Sequence, residues 1–437
     1  AALPQATAAI PPVTGPGAPV TQGTLPGSFR IPGTGTSVRL YGQVIATASR
    51  DFSARNRSDV VTVQAVALGS TAATRQGGDF RFDARRSRFG FETSTPTSWG
   101  DLRTLVEMDF AGSQSTASLT AQSGTSGYIP RLRLAYAELA GFTIGQNWSL
   151  FYDENYGQRF DYSSPNGISN VRSAQFRYTY RLANGLSLAA SVENPYTDGT
   201  FSSGVRYNDS DAFVAPFPTG TGTLTTTNKV PDLLARLRWD SPTWGNFSLT
   251  GVLRPNMSIN NRGDANPALR YERSVNGGGV QLATSWRVLE RDRIYARVVY
   301  GVGIGRYLDG TSNGQGFVSN ALNAGVSAAQ VRLNTVPLLS LVGGFTHFWT
   351  PTIRTNALAA WTRQTFPSYI AGFANAGRSA LNRDIVSTNV NLIWSPVPQV
   401  DVGLEYNYAT RTLELAQTDG VRSGVAHRLQ MTGLVRF

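Results

Sequence analysis

The sequence predicts an all-β fold, a sixteen-stranded antiparallel transmembrane β-barrel with short periplasmic turns and long extracellular loops. Three observations predict it: alternation with period two along nearly the whole chain, connections that are short and long by turns, and tryptophans gathered beside the short ones. Period two sends successive side chains to opposite faces of a strand. Val38, Leu40, Val44 and Ala46 oppose Arg39, Tyr41, Gln43 and Thr47; Phe176, Tyr178 and Tyr180 oppose Gln175, Arg177, Thr179 and Arg181; Ile294, Ala296, Val298 and Tyr300 oppose Arg293, Tyr295 and Arg297. A soluble sandwich would alternate in the same way, so the connections have to decide.

Sixteen candidate strands run from about 37–49 to about 425–437. The short connections fall at Pro96 to Trp99, Gly141, Ala183 to Asn184, Ser241 to Gly245, Leu289 to Asp292, Thr350 to Thr352 and Pro396 to Pro398. Every other connection is long, near 50–79, 112–129, 152–170, 195–231, 255–277, 305–334, 366–383 and 411–424. Strict alternation puts both termini on the short-turn side of an even-stranded barrel, the asymmetry of outer-membrane barrels. Trp99, Trp239, Trp244, Trp286, Trp349 and Trp394 lie close to short turns, where an amphipathic ring sits at lipid headgroup level. The last strand ends Leu429, Met431, Gly433, Val435, Phe437, and the terminal Phe437 is a candidate signal for the barrel assembly machinery.

Residues 1–33 carry seven prolines among Gly, Ala and Thr, which favours extended solvated chain and suggests a flexible periplasmic lead-in. Residues 34–437 are read as the barrel. The 437-residue chain has no cysteine and only His347 and His427, which excludes thiolate chemistry and leaves little imidazole for general base or metal work. No cofactor signature is present: Gly301 to Arg306 contains a Gly-x-Gly, but it closes a strand instead of opening a helix. Oxygen-rich stretches around Asn56 and Asp59, and from Asn208 to Asp211, are weak candidates for a divalent cation. All but one of the 39 basic side chains are arginine, and formal net charge is +11. Arginine pairs bidentately with carboxylate and phosphate, so the partners implied are anionic. Nucleic acid is not among them, since no compact basic stretch or zinc-finger or RNP-like motif occurs.

Four segments, FRIPGTGTSVRLYGQV (Phe29 to Val44), RFGFETSTPTSWGDLRTLVEMDF (Arg88 to Phe110), GQNWSLFYDE (Gly145 to Glu154) and DYSSPNGISNVRSAQFRYTY (Asp161 to Tyr180), resemble the DcaP-like trimeric porins. The resemblance is strongest between about residues 29 and 195. It implies a Gram-negative outer-membrane porin of sixteen strands, assembled as a homotrimer among lipids and lipopolysaccharide, that passes small anionic solutes. Members carry a coiled-coil segment before the barrel, and the proline-rich residues 1–33 depart from that pattern.

A barrel of this size encloses an aqueous lumen, so the inward face of each strand is the pore wall. Parity places Arg39, Arg86, Arg88, Arg103, Arg131, Arg133, Arg177, Arg181, Arg236, Arg238, Arg254, Arg287, Arg293, Arg297, Arg354, Arg428 and Arg436 on that wall. Rings of arginine are a device of anion pores. The competing expectation is that wall acids such as Glu107, Asp109, Glu138, Glu193 and Glu405 neutralise many of them. The third long loop is the candidate constriction, and its Asp153, Glu154, Arg159 and Asp161 would set a transverse field against the basic wall. Two rival functions remain: a lipase-like barrel enzyme, which needs a serine and a histidine on the lipid-facing rim, and an adhesion or structural barrel with a plugged lumen. The leading expectation is a passive diffusion channel that is not an enzyme and prefers small carboxylates.

Overall fold

The computed structural model describes residues 21–437 except 55–58, 70, 113–127, 164, 203–205, 208–223, 312–314, 322 and 324. Sixteen antiparallel strands form the wall. The first eight are β1 (Ser37–Asp51), β2 (Arg88–Thr97), β3 (Gly100–Asp109), β4 (Arg131–Leu139), β5 (Phe142–Trp148), β6 (Arg172–Arg181), β7 (Leu186–Glu193) and β8 (Asp232–Ser241). The second eight are β9 (Gly245–Asn260), β10 (Glu272–Arg287), β11 (Arg293–Val302), β12 (Pro337–Phe348), β13 (Ile353–Gln364), β14 (Asn382–Val397), β15 (Val400–Leu413) and β16 (Ser423–Arg436). Each pairs with its neighbours in sequence, and β16 pairs with β1, placing Gln43 opposite Arg436, Thr47 opposite Thr432 and Asp51 opposite Arg428. The sheet therefore has no edge, the condition a strand must meet in hydrocarbon, where no water satisfies a free N–H or C=O.

Burial is inverted relative to a soluble protein. Leu237, Leu249, Val280, Leu282, Ile294 and Val298 are exposed on the outer face, while Ser248, Thr250, Gln281, Arg297, Ser340 and Asn389 are buried within. The outward residues form the apolar belt, and Trp99, Trp244, Trp286, Trp349 and Trp394 stand exposed beside its short turns. No described helix is long and apolar enough to cross a membrane.

Differences from the expected boundaries have local causes. The one strand expected between the long connection near 50–79 and the short one at Pro96 to Trp99 is two: Asp79–Asp83 pairs with the outer half of β1, and after a turn Arg88–Ser94 pairs with its inner half. Ser87 fills the gap, its hydroxyl accepting from the Ile45 N–H at 3.1 Å. β9 continues past Pro255, which has no N–H for the ladder. A bulge carries Asn256 at φ 61°, and pairing resumes with Met257 opposite Val275. At the other end, Phe29–Arg30 pairs back on Ser37–Val38, and the Thr24 N–H donates to the Ser37 hydroxyl at 2.9 Å. Residues 1–20 of the proline-rich lead-in lie outside the described residues.

The interior is not an empty lumen. The loop from 149 to 170 folds inward, placing Leu150 and Phe151 in a cluster with Leu234, Val252, Val299, Tyr307 and Leu308. Val61, Val63 and Val66 of the first loop pack on Ile385 and Ala409 of the wall. Inward apolar residues at these wall positions mark where loops dock, which a strict polar-inside pattern does not anticipate.

The seam closes on the last residue. The Gly42 N–H donates to the Phe437 carbonyl at 3.1 Å and the Phe437 N–H to the Gly42 carbonyl at 3.2 Å. A β-carbon at Gly42 would lie 2.5 Å from the Phe437 ring and 2.6 Å from the Arg88 carbonyl oxygen. Gly42→Val should therefore unseat Phe437 and impair closure. The expected readout is a lower fraction of the fast-migrating folded band on unheated SDS gels, with Gly433→Val, where a β-carbon meets nothing within 4 Å, much less affected.

Candidate functional site

The site is the lumen at the level of the 149–170 loop. Wall side chains reach it because β-strand parity aims alternate residues inward, and the loop itself is held by that wall. The Leu150 N–H donates to Glu193 at 2.7 Å, and Gln281 donates to the Phe151 carbonyl at 3.1 Å. Glu405 accepts the N–H groups of Phe160 and Asp161, both at 2.8 Å, and Asn391 donates to the Gln158 carbonyl at 2.8 Å. Asn166 spans to Ser387 and Thr362 at 2.8 and 2.6 Å. Gly167 turns the chain at φ +78°, beside Ser340, where a side chain would collide.

The loop also alternates. Phe151, Asp153, Asn155 and Arg159 are buried, whereas Tyr152, Tyr156 and Gln158 are partly exposed and Glu154 is exposed. The expected transverse field therefore needs correction. Asp153 faces the wall, hydrogen-bonded by the Ser248 hydroxyl, with the Arg297 guanidinium on its backbone carbonyl at 2.7 Å. Asp161 is buried, accepting from the Val61 N–H at 2.7 Å with Arg428 at 3.8 Å. Burial pushes the Asp161 carboxyl up, opposed by the Arg428 charge and the Val61 N–H. Arg159, expected as part of that field, instead donates to the Asp161 carbonyl at 3.1 Å and lies over the Tyr156 ring at 4.6 Å. An acid drawn into the wall is consumed by the groups that hold the loop, leaving Glu154 as the acid presented to the lumen among these four.

The structure divides the wall arginines into two sets. More than half are ion-paired. Arg39 meets Glu92; Arg86 meets Asp59 at 2.6 Å; Arg131 meets Asp109 at 2.7 Å; Arg133 bridges Glu107 and Asp109 at 2.6 and 2.8 Å; and Arg88 approaches Glu107 at 4.0 Å. Arg238 pairs with Asp240 at 2.8 Å, Arg254 with Asp198 at 3.1 Å, Arg297 with Asp153 at 4.0 Å and Arg428 with Asp51 at 2.8 Å. Arg354 and Arg436 share Asp401 at 3.2 and 2.5 Å. The other set, Arg103, Arg177, Arg181, Arg236, Arg287 and Arg293, has no salt-bridge partner among the described residues. Arg287 and Arg293 are even direct cross-strand neighbours, an arrangement of like charges that a sheet tolerates poorly unless solvent or an anion lies between them.

Sequence reasoning did not find the aromatic residues. Trp148 and Tyr152 stack with ring centroids 4.1 Å apart, and the Tyr152 and Tyr156 hydroxyls hydrogen-bond at 2.9 Å. Arg172, also missed, lies over Trp148 at 5.2 Å. Their spacing of four residues, with period two inside the loop, was the available signal. The cation candidates fare differently: Asn56 and Asn208 to Asp211 lie outside the described residues, and Asp59 is occupied by Arg86. The two histidines are also engaged. His347 Nδ1 is 2.6 Å from Asp292, and His427 Nδ1 is 2.6 Å from the Tyr406 hydroxyl.

Comparison with known proteins agrees with this architecture. A family model described as the porin subfamily matches residues 26–427. No curated protein matches the sequence. Among solved structures, the outer membrane channel DcaP of Acinetobacter baumannii is similar with a TM-score of 0.68 at 20% identity, covering 92% of this chain and 97% of that one. The OmpF of Salmonella typhi gives 0.52 at 10% identity, covering 92% and 98%. An anion-selective porin from Comamonas acidovorans gives 0.51 at 11% identity, covering 92% and 100%. At such identities the likeness is one of fold.

The way the loop is held sets two expected outcomes. Asp309, on the loop between β11 and β12, accepts the Gly167 N–H through its carbonyl at 2.8 Å and donates its own N–H to the Ile168 carbonyl at 2.8 Å, while its carboxylate takes the Asn170 amide. Burial pushes its carboxyl up to about 7 against the pull of Arg159 and Asn170. A folded carboxyl raised above its unfolded value holds a proton that the unfolded chain releases, so this contact gains stability as pH falls from about 7 and loses it as pH rises. Hydrogen-exchange protection of the Gly167 and Asp309 amides, corrected for intrinsic rate, should be greater at pH 5 than at pH 8, and Asp309→Asn should flatten the difference. Separately, Arg428→Met would strand Asp51 and Asp161 as buried acids, which costs about 3–5 kcal/mol when one partner of a buried pair is removed. A clearly lower denaturation midpoint in detergent is expected.

Proposed function

The chain belongs to the porin subfamily and is a Gram-negative outer-membrane channel, and from that premise we propose that it is of DcaP-like kind, a passive diffusion pore preferring small anionic solutes, carboxylates foremost. The observation that carries the reading is the set of inward arginines without an acid partner, facing a loop whose acids other than Glu154 are turned into the wall. A guanidinium without a carboxylate partner at a narrow passage keeps its net charge, attracts anions and repels cations, and low-dielectric walls focus that field. Several such charges in succession give weak multi-site binding, which lets a solute leave as readily as it enters. The Comamonas acidovorans porin, similar in fold, is anion-selective, which lends support of a general kind.

Assembly as a homotrimer belongs to the same proposal and is supported by the resemblance of the four segments between Phe29 and Tyr180. So does the role of residues 1–33 as a periplasmic lead-in, and that of Phe437 in recognition by the assembly machinery. The rival readings find less support. A lipase-like enzyme needs a serine activated by a histidine at the outer rim, and the ring of His427 is taken by Tyr406. An adhesion barrel with a plugged lumen has no use for unpaired inward charge.

Single-channel recording across a potassium chloride gradient tests the proposal. At about 8 Å in water one charge contributes ~0.5 kcal/mol, so each of Arg177→Ala and Arg236→Ala should lower the anion-to-cation permeability ratio by about twofold or more. Glu154→Gln should raise it. A cation-preferring wild type would refute the reading.

A further inference from the structure

The lipid face of the barrel is not smooth. Across β8 to β11 it is indented by a furrow of about 530 Å³, lined by apolar side chains and glycine. Strand register builds it. One outward row joins Ala235, Gly251, Val280 and Tyr300, and the next row toward the extracellular end joins Leu233, Leu253, Gly278 and Val302. Ala235, Gly251 and Gly278 are therefore the floor, and the exposed Leu233, Leu253, Val280 and Tyr300 stand around it. Gly251 shows that the furrow is no by-product of packing. A β-carbon there would meet only the Gly279 carbonyl oxygen, at 4.0 Å, so nothing in the sheet requires glycine where β9 carries Leu249 and Leu253 on the same face.

Its depth in the membrane follows from β10. The outward positions of that strand rise from Trp286, beside a periplasmic turn, to the exposed Asn276 and Ser274. The climb from 286 to 276, at ~3.4 Å per residue and roughly 40° of tilt, is about 25 Å, the height of the apolar band. Gly278, one outward position below Asn276, thus sits just under the extracellular headgroups, and the furrow faces the acyl layer of the outer leaflet. An empty furrow forfeits dispersion contacts, which an extended chain laid along it would make on both flanks. Charge lies above. Lys229, the chain's only lysine, leads into β8 about half exposed, its backbone within about 14 Å of Leu233. Lys229 and the exposed Arg262 share Glu272, the second at 3.1 Å. Two cations on one carboxylate leave one positive charge in excess at headgroup level, the complement of a phosphate. We propose that the furrow holds an acyl chain of lipopolysaccharide whose phosphate is met by Lys229 and Arg262. Lipopolysaccharide fills the outer leaflet, carries saturated chains that lie straight in a furrow, and bears phosphate on the sugar to which they are attached. This site is independent of which solutes the pore passes.

Native mass spectrometry of the full-length protein, stripped of lipid and titrated in detergent with diphosphoryl lipid A, tests this. Wild type should retain lipid A in preference to phosphatidylglycerol of matching saturated chains. Gly251→Leu fills the furrow and should lower lipid A retention several-fold. Gly343→Leu should not, since that outward glycine, opposite Ala296 in the periplasmic half of the belt, lies outside the furrow and its β-carbon meets nothing within 4 Å. Lys229→Gln with Arg262→Gln should weaken retention of diphosphoryl lipid A about fivefold, the scale of one basic side chain at a membrane surface, and leave lipid A without phosphate unaffected. A folded band on unheated gels and wild-type single-channel conductance establish that each variant is intact, and Ala235→Leu, beside Gly251 on β8, carries the same expectation should Gly251→Leu fail to fold. Undiminished retention by an intact furrow variant overturns the proposal. So does equal retention of phosphatidylglycerol by wild type, which would make the furrow a general lipid contact. Loss of an oligomer in Gly251→Leu would assign the furrow to a neighbouring protomer and overturn it as well.

Discussion

A sheet in hydrocarbon has no solvent to complete an open edge, so the pairing of β16 with β1 is the contact on which everything else depends. It joins strands nearly four hundred residues apart, from Gln43 opposite Arg436 to Asp51 opposite Arg428. Once closed, the barrel has a lipid side and a lumen side, and every residue's parity acquires a chemical meaning. Arginine at an inward position becomes part of a water-filled wall; leucine one residue away becomes part of the membrane belt. Register errors would exchange the two sets along a whole strand, which is why the seam ends on so tight a fit between Gly42 and Phe437.

Closure creates a polar interior, and the loops exploit it. Buried acids need partners, and the inward loops supply them as backbone N–H groups while receiving a fixed position in return. Glu405 shows the exchange: its two oxygens hold the amides of Phe160 and Asp161, with Asn391 alongside at 3.0 Å. Asp161 then takes the Val61 amide, so the first loop is tied through the third to the wall. Arg428 joins Asp51 to Asp161 and so carries the seam's own register into the loops. Acids spent in this scaffold are unavailable to neutralise Arg177 or Arg236, and the unpaired charge of the lumen is a consequence of how the loops are anchored.

Much of this was legible in the sequence, and the boundary of legibility is physical. Strand number, closure, the tryptophan positions and the inward parity of residues such as Arg177, Arg297 and Arg354 follow from period two and loop length, which depend on local geometry. The connection expected near 255–277 is shorter than that because a bulge with Asn256 in left-handed conformation absorbs Pro255, which has no N–H for the ladder, and the strands pair beyond it. The inward packing of Val61, Val63 and Val66 was hidden because their partners, Ile385 and Ala409, lie more than three hundred residues away. The same holds for Asp153 and Asp161: their residue type announced a charged loop, but which way each faced was decided by Ser248, Arg297 and Arg428 on distant strands.

The loop's alternation connects anchoring with recognition. A segment lying on a wall has two faces, as a strand does, and from Phe151 to Gln158 buried residues alternate with partly or fully exposed ones. Asp153 accepts the Asn155 N–H at 2.9 Å within the loop, while Tyr152 stacks on Trp148 and Tyr156 packs on Ile168, Val342 and Ala360 beneath Arg159. A one-residue shift would take Asp153 from the Ser248 hydroxyl and its carbonyl from Arg297, and so release the loop from the wall. The arrangement therefore fixes the chemistry of the passage with the same period-two rule that fixes the barrel, applied a second time to a segment that belongs to no sheet.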